Sequence, residues 1–346
     1  MAAPSFTRWE GRPMTQSRSR VAPSPGRPQV SVVITTFNHA AYIAAALESV
    51  LAQTYPLHEI VVVDDGSSDA TSDSIRPYLD RVHYIRQENR GIARARNTGV
   101  AATRGDLIAL LDGDDVWEPG KIERQVAAVS QHPDAALIAA NGVEFEGDTA
   151  VFEHLFARAV RERLRPPTML KWDCYDALVE RNLIFTVSQV LIPRWALERV
   201  GESDRRFSTS SDWDLYLRLA RDHPFVFLSE RLVRWRYLDT SASGPRERRM
   251  LQWAVDDIPI LKREARRGRN ARADRIRGLV QEKCRRTAYT AFGYGERHDR
   301  RWARQYLWRM WRRHHSRAFL TCYVVLLVPP RPRVALRRWA RRMMGW

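Results

Sequence analysis

Short apolar runs alternate with amphipathic stretches along the first 140 residues of the chain. The runs are rich in β-branched residues and lack polar alternation, which is typical of strands buried on both faces of a sheet. They cover residues 29–35, 59–63, 82–86, 106–111 and 135–140. Between them, apolar residues recur at helical spacing, as Ile43, Leu47 and Val50 do. We therefore predict five strands, connected by helices over residues 40–53, 69–78, 92–102 and 119–131.

This alternation of strands and helices predicts an α/β fold with a mostly parallel sheet and helices on both faces. In such sheets, ligands bind beyond the carboxyl ends of the strands. Three polar loops follow predicted strands, at residues 35–38, 64–68 and 112–115. We expect these loops to meet at one edge of the sheet and to form the functional site.

The pattern changes after residue 141. Residues 148–173 are charged and contain Pro166 and Pro167, so we interpret them as an insertion or an acceptor loop. Strands are predicted at residues 185–192, 225–228 and 232–237, and helices at residues 194–200 and 212–220. From residue 245 to residue 313 the sequence is helical and rich in arginine, and no internal repeat is visible.

The composition fits a folded protein with one large domain or two small ones. Apolar residues make up 44% of the 346 residues, which is enough for an ordinary core. Cys174, Cys284 and Cys322 are far apart and suit neither a zinc site nor a disulfide framework, so a reducing cytosol is the expected compartment. Residues 1–28 lack an apolar run, and we expect a disordered leader there rather than a secretory signal.

The net charge of +17 is concentrated at the C-terminal end. Thirteen Arg and no Asp, Glu or Lys follow Asp299, so the first 299 residues carry a net charge of only +4. Arg and Trp share residues 300–313 and 333–343, and the apolar stretch 318–328 between them is too short to span a bilayer. Such a tail suits an anionic membrane surface. Single-stranded nucleic acid and a plain packing helix with solvated arginines are the alternatives.

Asp112, Asp114 and Asp115 crowd into the loop after the fourth predicted strand. Like charges at close range cost free energy unless a cation compensates them. Carboxylates bind magnesium and manganese, and such an ion can neutralise the diphosphate that leaves when a sugar is transferred from a nucleoside diphosphate. A solvated acidic turn is the alternative, because aspartate is frequent in turns.

Two further groups are candidates for contacts with such a donor. Asp65 follows the second strand, where a carboxylate can accept the N–H of a pyrimidine base. A turn that caps the next helix is the alternative there, and both roles can coexist. Arg94 and Arg96 lie at the start of a helix, where arginine opposes the helix dipole unless an anion is nearby. A solvated arginine face is the alternative.

Four motifs occur in order over residues 29–140: SVVITTFNHAAYI, EIVVVDDGSSD, NRGIARARNTGV and DLIALLDGDDVWEPGKI. Together they closely resemble the family 2 glycosyltransferases of the GT-A fold. A weaker stretch over residues 185–237, with SQVLIPRWALERVG, SSDWDLYLRLA and RLVRWRY, resembles the acceptor half of the same enzymes. The resemblance implies a Rossmann-like GT-A domain over residues 29–240, followed by a helical Arg- and Trp-rich region over residues 241–346. The nucleotide-sugar half would be residues 29–140 and the acceptor half residues 141–240.

The resemblance also implies roles for residues on the nucleotide side. Thr35 and Phe37 would line the uracil pocket, and a contact through a tyrosine hydroxyl, common in relatives, is absent at Phe37. Asp65 would read the base, and Arg96 would be a basic residue on the donor side.

The same resemblance assigns the carboxylates. Asp112 would face the ribose or the waters on the metal, and Asp114 would bind the metal. Asp212 would be the catalytic base, and Asp214 is its rival. Many relatives have Glu where this chain has Ser211, which changes how Asp212 is held.

The expected function is inverting transfer of a sugar from a nucleotide-sugar donor, a UDP-sugar in the first instance, to a glycan or lipid-linked acceptor in cell-envelope polysaccharide biosynthesis. The expected cofactor is manganese or magnesium. A catalytically inactive nucleotide-binding or membrane-interaction protein with this fold is the alternative. No nucleic acid partner is expected, and no G-x-G-x-x-G motif for a dinucleotide follows the first strand. We expect a cytoplasmic protein that is peripheral at the inner face of the membrane.

Overall fold

A computed structural model of the chain describes residues 26–146, 149–164, 169–236, 238, 246–268 and 270–327. Its first part follows the predicted alternation of strands and helices. The strands are β1 (Val30–Thr36), β2 (Glu59–Asp64), β3 (His83–Arg86) and β4 (Leu107–Asp112). The helices between them are α1 (Ile43–Leu51), α2 (Thr71–Ile75), which continues as a 3-10 turn over Arg76–Tyr78, and α3 (Ile92–Ala102).

The segment that follows is more regular than predicted. After β5 (Val116–Trp117) and α4 (Lys121–Gln131), strand β6 (Leu137–Glu146) extends beyond its predicted end. The expected insertion at residues 148–173 contains β7 (Thr149–Phe152), α5 (Arg158–Arg161) and β8 (Met169–Trp172).

The acceptor half continues with α6 (Tyr175–Glu180), a 3-10 turn over Val187–Gln189, and β9 (Val190–Pro193). The predicted helices are present as α7 (Arg194–Val200) and α8 (Ser211–Ala220). The two short strands predicted at residues 225–237 form one strand, β10 (Phe225–Arg236), whose register with β6 shifts between Leu228 and Val233.

All ten strands belong to one sheet with the order β3-β2-β1-β4-β9-β6-β10-β5, and β7 and β8 pair with β6 and β10. Strands β1, β2, β3 and β4 are parallel, as are β6 and β10. Strand β9 lies antiparallel between β4 and β6, so β6 has the same direction as β4. The sheet is therefore mostly parallel in direction, and it places the carboxyl ends of β1, β2 and β4 at one edge.

Each face of the sheet has its own core. Val32 and Ile34 of β1 pack with the helices α1 and α4, whereas Val33 belongs to a larger cluster on the opposite face that includes α8. Helix α3 approaches this second face so closely that a Cβ on Gly99 would lie 2.2 Å from the Cγ1 atom of Val33. Glycine at position 99 is thus required by packing.

In the part of the C-terminal region that the structure describes, there are four helices: α9 (Arg246–Arg267), α10 (Asn270–Arg297), α11 (Arg300–His314) and α12 (Arg317–Leu327). Their inward residues, such as Ile258, Met310 and Phe319, join the same cluster as α8, so these helices pack directly on the sheet domain.

The described part of the apolar stretch, residues 318–327, packs against this cluster with its inward face. Within the described ranges, no helix is both long and apolar enough to cross a membrane. Most of the predicted leader and the amphipathic segment 333–343 lie outside the described residues.

Candidate active site

Three loops meet at the edge of the sheet, as predicted. In the register of the parallel strands, Thr35 is level with Asp112 of β4 and with Val63 of β2, next to Asp64. The hydroxyl of Thr35 donates a hydrogen bond of 3.2 Å to Oδ1 of Asp112. The parallel register of the first, second and fourth strands therefore places the acidic loop directly beside the β1 and β2 loops.

Arg96 lies among the acids of this edge. Its Nη2 atom donates a 3.2 Å hydrogen bond to the same oxygen of Asp112, and the residue is only 9% exposed. Burial opposes its charge, but Asp112, Asp212 and Tyr216 favour it and raise the pKa of Arg96 above its ordinary value. The predicted anion near the start of α3 is therefore provided by the protein's own carboxylates, whereas Arg94 points to solvent.

Asp114 has a more distant ionic partner than Asp112, which pairs with Arg96 at 3.2 Å. Its side chain is 17% exposed, and the nearest base is His39, whose Nε2 lies 3.9 Å from Oδ2. Burial and the neighbouring charge of Asp112 raise the pKa of Asp114, although His39 opposes the shift. A divalent cation at this carboxylate would offset both causes, because it stabilises the ionised form.

Asp115 has a different task, which its place in the sequence did not reveal. It is completely buried, and its Oδ2 accepts hydrogen bonds from the hydroxyls of Thr186 at 3.1 Å and Ser188 at 2.5 Å. Its Oδ1 accepts the backbone N–H of Arg236 at 3.0 Å. Burial and the charges of Asp114 and Asp112 raise its pKa well above the ordinary value. Asp115 thus attaches the acidic loop to the acceptor half.

Asp212 lies at the second position of α8 and faces the same group of charges. Burial raises the pKa of Asp212 to about 6; Arg96 and the backbone N–H of Trp213 act in the opposite direction. The rival Asp214 is fully buried and contacts Arg218 at 2.9 Å as well as Arg263 of α9. Asp214 is therefore a core ion-pair residue, whereas Asp212 faces Arg96 and Asp112 at the edge of the sheet.

Tyr216, one turn further along α8, was not predicted as a site residue. It is fully buried, and its hydroxyl has no hydrogen-bond partner among the described residues. Burial raises its pKa strongly, and the charges of Asp212 and Asp112 add to this, while Arg96 opposes it. Its apolar helix pattern made Tyr216 resemble an ordinary core residue in the sequence.

The predicted base-reading residue Asp65 is buried beneath the loop after β3. Its Oδ1 accepts hydrogen bonds from Gln87 Nε2 at 2.7 Å and from the backbone N–H of Arg90 at 3.0 Å. Its Oδ2 accepts the N–H of Gly91 at 2.8 Å, which leaves acceptor capacity on that oxygen. Phe37 is 42% exposed at the end of β1, where a planar ligand can reach its ring.

The residues present fit a divalent cation held by two carboxylates and completed by a ligand. Among the described residues, no three side chains of His, Cys, Asp or Glu form a ready-made metal cage. Asp112 and Asp114 nevertheless place two like charges close together, and Asp114 is largely buried. The space beside Gly113 is narrow, since a Cβ there would lie 2.9 Å from Thr36 Oγ1 and 3.2 Å from His39 Nδ1. Both of these buried atoms lack a hydrogen-bond partner in the described part of the chain. The glycine thus keeps open a small polar cradle beside the two acids.

The family comparison covers the loops after β1, β2 and β4. The profile described as Glycosyl transferase family 2 matches residues 31–181. The putative teichuronic acid biosynthesis glycosyltransferase TuaG of Bacillus subtilis is 29% identical over 224 residues, which are 63% of this chain and 82% of TuaG. Residues 31–181 therefore belong to family 2 of the glycosyltransferases.

The relatives differ from this member in length. Uncharacterized glycosyltransferases of Rickettsia felis and Rickettsia typhi are 31% and 30% identical, and the chain spans 34% and 66% of their lengths. The family assignment therefore applies to the shared domain.

Solved structures show the same fold at low sequence identity. Staphylococcus aureus TarS in complex with UDP has a TM-score of 0.57 and 16% identity, covering 89% of this chain and 83% of that one. The mannosyltransferase PcManGT of Pyrobaculum calidifontis, in complex with GDP-Man and Mn2+, has a TM-score of 0.53 and 18% identity over 94% of this chain and 90% of that one. This family member therefore has a GT-A fold.

Proposed function

We propose that this family 2 member transfers a sugar from a UDP-sugar to an acceptor hydroxyl with inversion of configuration, in cell-envelope polysaccharide biosynthesis. The observation that carries the proposal is Asp212, a carboxylate on the acceptor side whose pKa of about 6 reflects burial beside Arg96 and the acidic loop. A general base works best when its pKa lies near the operating pH. The name of TuaG, a putative teichuronic acid biosynthesis glycosyltransferase, supports a role in polysaccharide biosynthesis. The UDP in the TarS complex supports UDP as the nucleotide of the donor.

The donor would bind across the carboxyl ends of β1, β2 and β4. Phe37 and Thr35 would line the pocket of the base, and Asp65 would accept its ring N–H with the remaining capacity of Oδ2. Asp114 would bind a manganese or magnesium ion directly, and Asp112 would face the ribose or the waters of that ion. Such an ion, when bound, neutralises the leaving diphosphate.

The chain's own residues would then prepare the acceptor. Asp212 would take the proton from the acceptor hydroxyl on the side opposite the leaving diphosphate, which inversion requires. Arg96 would keep Asp212 ionised at neutral pH and hold Asp112 in place, because it lies near both acids. Asp214 does not compete for this task, since Arg218 and Arg263 occupy it.

A panel of nucleotide sugars with manganese present tests the proposal, with released UDP as the readout. We expect turnover by the native chain, and Asp212→Asn should bind UDP normally but lose transfer. Asp222→Asn is the matched control, because Asp222 is an exposed acid just after the end of the same helix. Native turnover in Asp212→Asn would exclude this base, and UDP binding without any turnover by the native chain would favour the inactive alternative.

The acceptor is a glycan or a lipid-linked glycan, and we propose that the C-terminal region brings the enzyme to an anionic membrane surface. Trp308 of α11 packs against Tyr323 of α12 with 5.2 Å between ring centroids and is 40% exposed. Val324 and Leu327 are 47% and 48% exposed on the same helix α12. These apolar side chains, in a segment with arginines and no acids after Asp299, suit the headgroup region of a bilayer.

Vesicle flotation tests this contact without removing any packed helix. The full chain should float with anionic vesicles and not with neutral ones. A chain that combines Trp308→Ser, Val324→Ser and Leu327→Ser should float less. Equal flotation of both chains would contradict the proposed surface.

A further inference from the structure

Two aspartates of the C-terminal region lie against the N-terminus of the helix that carries Asp212. Asp256 on α9 accepts the backbone N–H groups of Thr209 at 2.7 Å and of Ser210 at 3.3 Å. The same oxygen, Oδ2, also accepts the hydroxyls of Thr209 at 2.9 Å and of Ser208 at 3.4 Å. A single carboxylate oxygen from another part of the chain therefore gathers the whole segment before α8.

The neighbouring Asp257 completes this arrangement. Ser210 is the N-cap of α8, yet its side chain does not cap the helix and instead donates a 2.7 Å hydrogen bond to Oδ1 of Asp257. The other oxygen of Asp257 is bound by Lys283 of α10. Both neighbouring acids of α9 therefore hold residues that lie directly before the first turn of α8.

Both acids are inside the protein rather than on its surface. Asp256 is 2% exposed and Asp257 is 8% exposed. Removing one partner of a buried, charge-assisted hydrogen-bond group leaves donors without an acceptor, which is costly. The segment 208–210 has no regular secondary structure of its own, so its conformation depends on these contacts.

We propose that Asp256 is a positioning residue, which fixes the segment 208–210 and thereby aims Asp212 at the acceptor hydroxyl. Asp212 follows Ser210 by only two residues, and a displacement of this segment is transmitted directly to its carboxylate. The inference rests on the proposed role of Asp212 as base. It gives the C-terminal helical region a part in catalysis that is separate from membrane contact.

The expected effect follows from the distance between base and hydroxyl. A misplacement of about 1 Å costs on the order of 100-fold in rate. We therefore expect Asp256→Ala to lower kcat by roughly 10- to 100-fold, while the affinity for UDP with manganese and the KM of the donor stay unchanged. Asp256→Asn should restore most of kcat, because every contact described here uses one oxygen, which the amide of Asn can supply.

Glu264→Ala is the matched control for general loss of buried charge on α9. Glu264 is also fully buried on the same helix, but it bonds to Tyr175, Arg221 and Arg263. This variant should lower the melting temperature with kcat per folded molecule unchanged. A fall in its kcat as large as that of Asp256→Ala would assign the effect to general destabilisation and overturn the proposal.

The remaining outcomes separate this inference from the proposed function. If Asp256→Ala has the native kcat while Asp212→Asn is inactive, the positioning role of Asp256 is overturned, but the proposed role of Asp212 as base is not. Equal loss in Asp256→Asn and Asp256→Ala would overturn it as well. If Asp256→Ala does not fold, Thr209→Val decides the question, because it deletes one of the hydrogen bonds without changing the shape of the side chain. A lowered kcat with native UDP affinity is then expected, and a native kcat would refute the proposal.

Discussion

The charge state of Asp212 should control how the rate depends on pH. Burial raises the pKa of Asp212 to about 6, and the general base that we propose Asp212 to be must be deprotonated to act. By the titration curve of one acid, about nine-tenths of the molecules are active at pH 7 and about a tenth at pH 5. The specificity constant kcat/KM for the acceptor should therefore fall about tenfold between these two values.

Removing Arg96 should shift the acidic limb of the pH–rate profile, which is the fall in rate at low pH, towards higher pH. The positive charge of Arg96 lowers the pKa of Asp212, so its loss in Arg96→Met leaves burial and Asp112 opposed only by backbone N–H groups. An opposite charge at close range is typically worth 1–3 pKa units, and we expect the midpoint of the limb to rise from about 6 by about one unit or more. Loss of activity at neutral pH should then be partly recovered in alkaline buffer.

The assay is UDP release at saturating donor and manganese, over roughly pH 5 to 9. Arg94→Met is the matched control, because Arg94 lies two residues earlier on the same helix with its side chain exposed. Its profile should coincide with that of the native chain. A midpoint that stays in place in Arg96→Met would show that the titrating group does not sense Arg96, and Asp212 would lose its assignment.

Three further changes test the metal loop and the core. Asp114→Ala should abolish manganese-dependent UDP binding in calorimetry, and retained binding would contradict its role. Gly99→Ala should lower the free energy of unfolding by about 1–3 kcal/mol, since its Cβ would collide with Val33, whereas Gly278→Ala, with open space around it, should not destabilise the protein. Asp214→Ala should cost about 3–5 kcal/mol in denaturant unfolding; a small loss would mean that its arginine partners relax easily.

Much of the donor half is predictable from sequence because its signals are local. Strands β1, β2 and β4 are continuous apolar runs, and each ends in a polar loop, so a parallel register is enough to bring Thr35 and Asp112 together. The presence of α7 and α8 also follows from helical spacing. The functional assignments within these elements depended on the family resemblance.

The acceptor half is less predictable because its contacts join distant parts of the chain. Strand β9 inserts antiparallel between β4 and β6, and nothing in its four residues specifies that place. The partners of Asp115 are 71, 73 and 121 residues away, so no local pattern distinguishes this buried acid from the exposed ones. Asp256 likewise reads as an ordinary helix acid until α9 is placed against α8.

These long-range contacts explain why the donor motifs alone do not make this active site. The family profile ends at residue 181, before Ser188, Asp212 and Arg236. Two of these anchor the acidic loop through Asp115, and the third is the proposed base. Asp115 is attached to residues 186–188 and 236, and Asp256 holds the segment before Asp212, so the acidic loop and the proposed base are each fixed by buried long-range hydrogen bonds. The proposed reaction geometry therefore depends on contacts between three regions of the chain, and a fragment that ends with the donor motifs should retain neither the proposed base nor a fixed acidic loop.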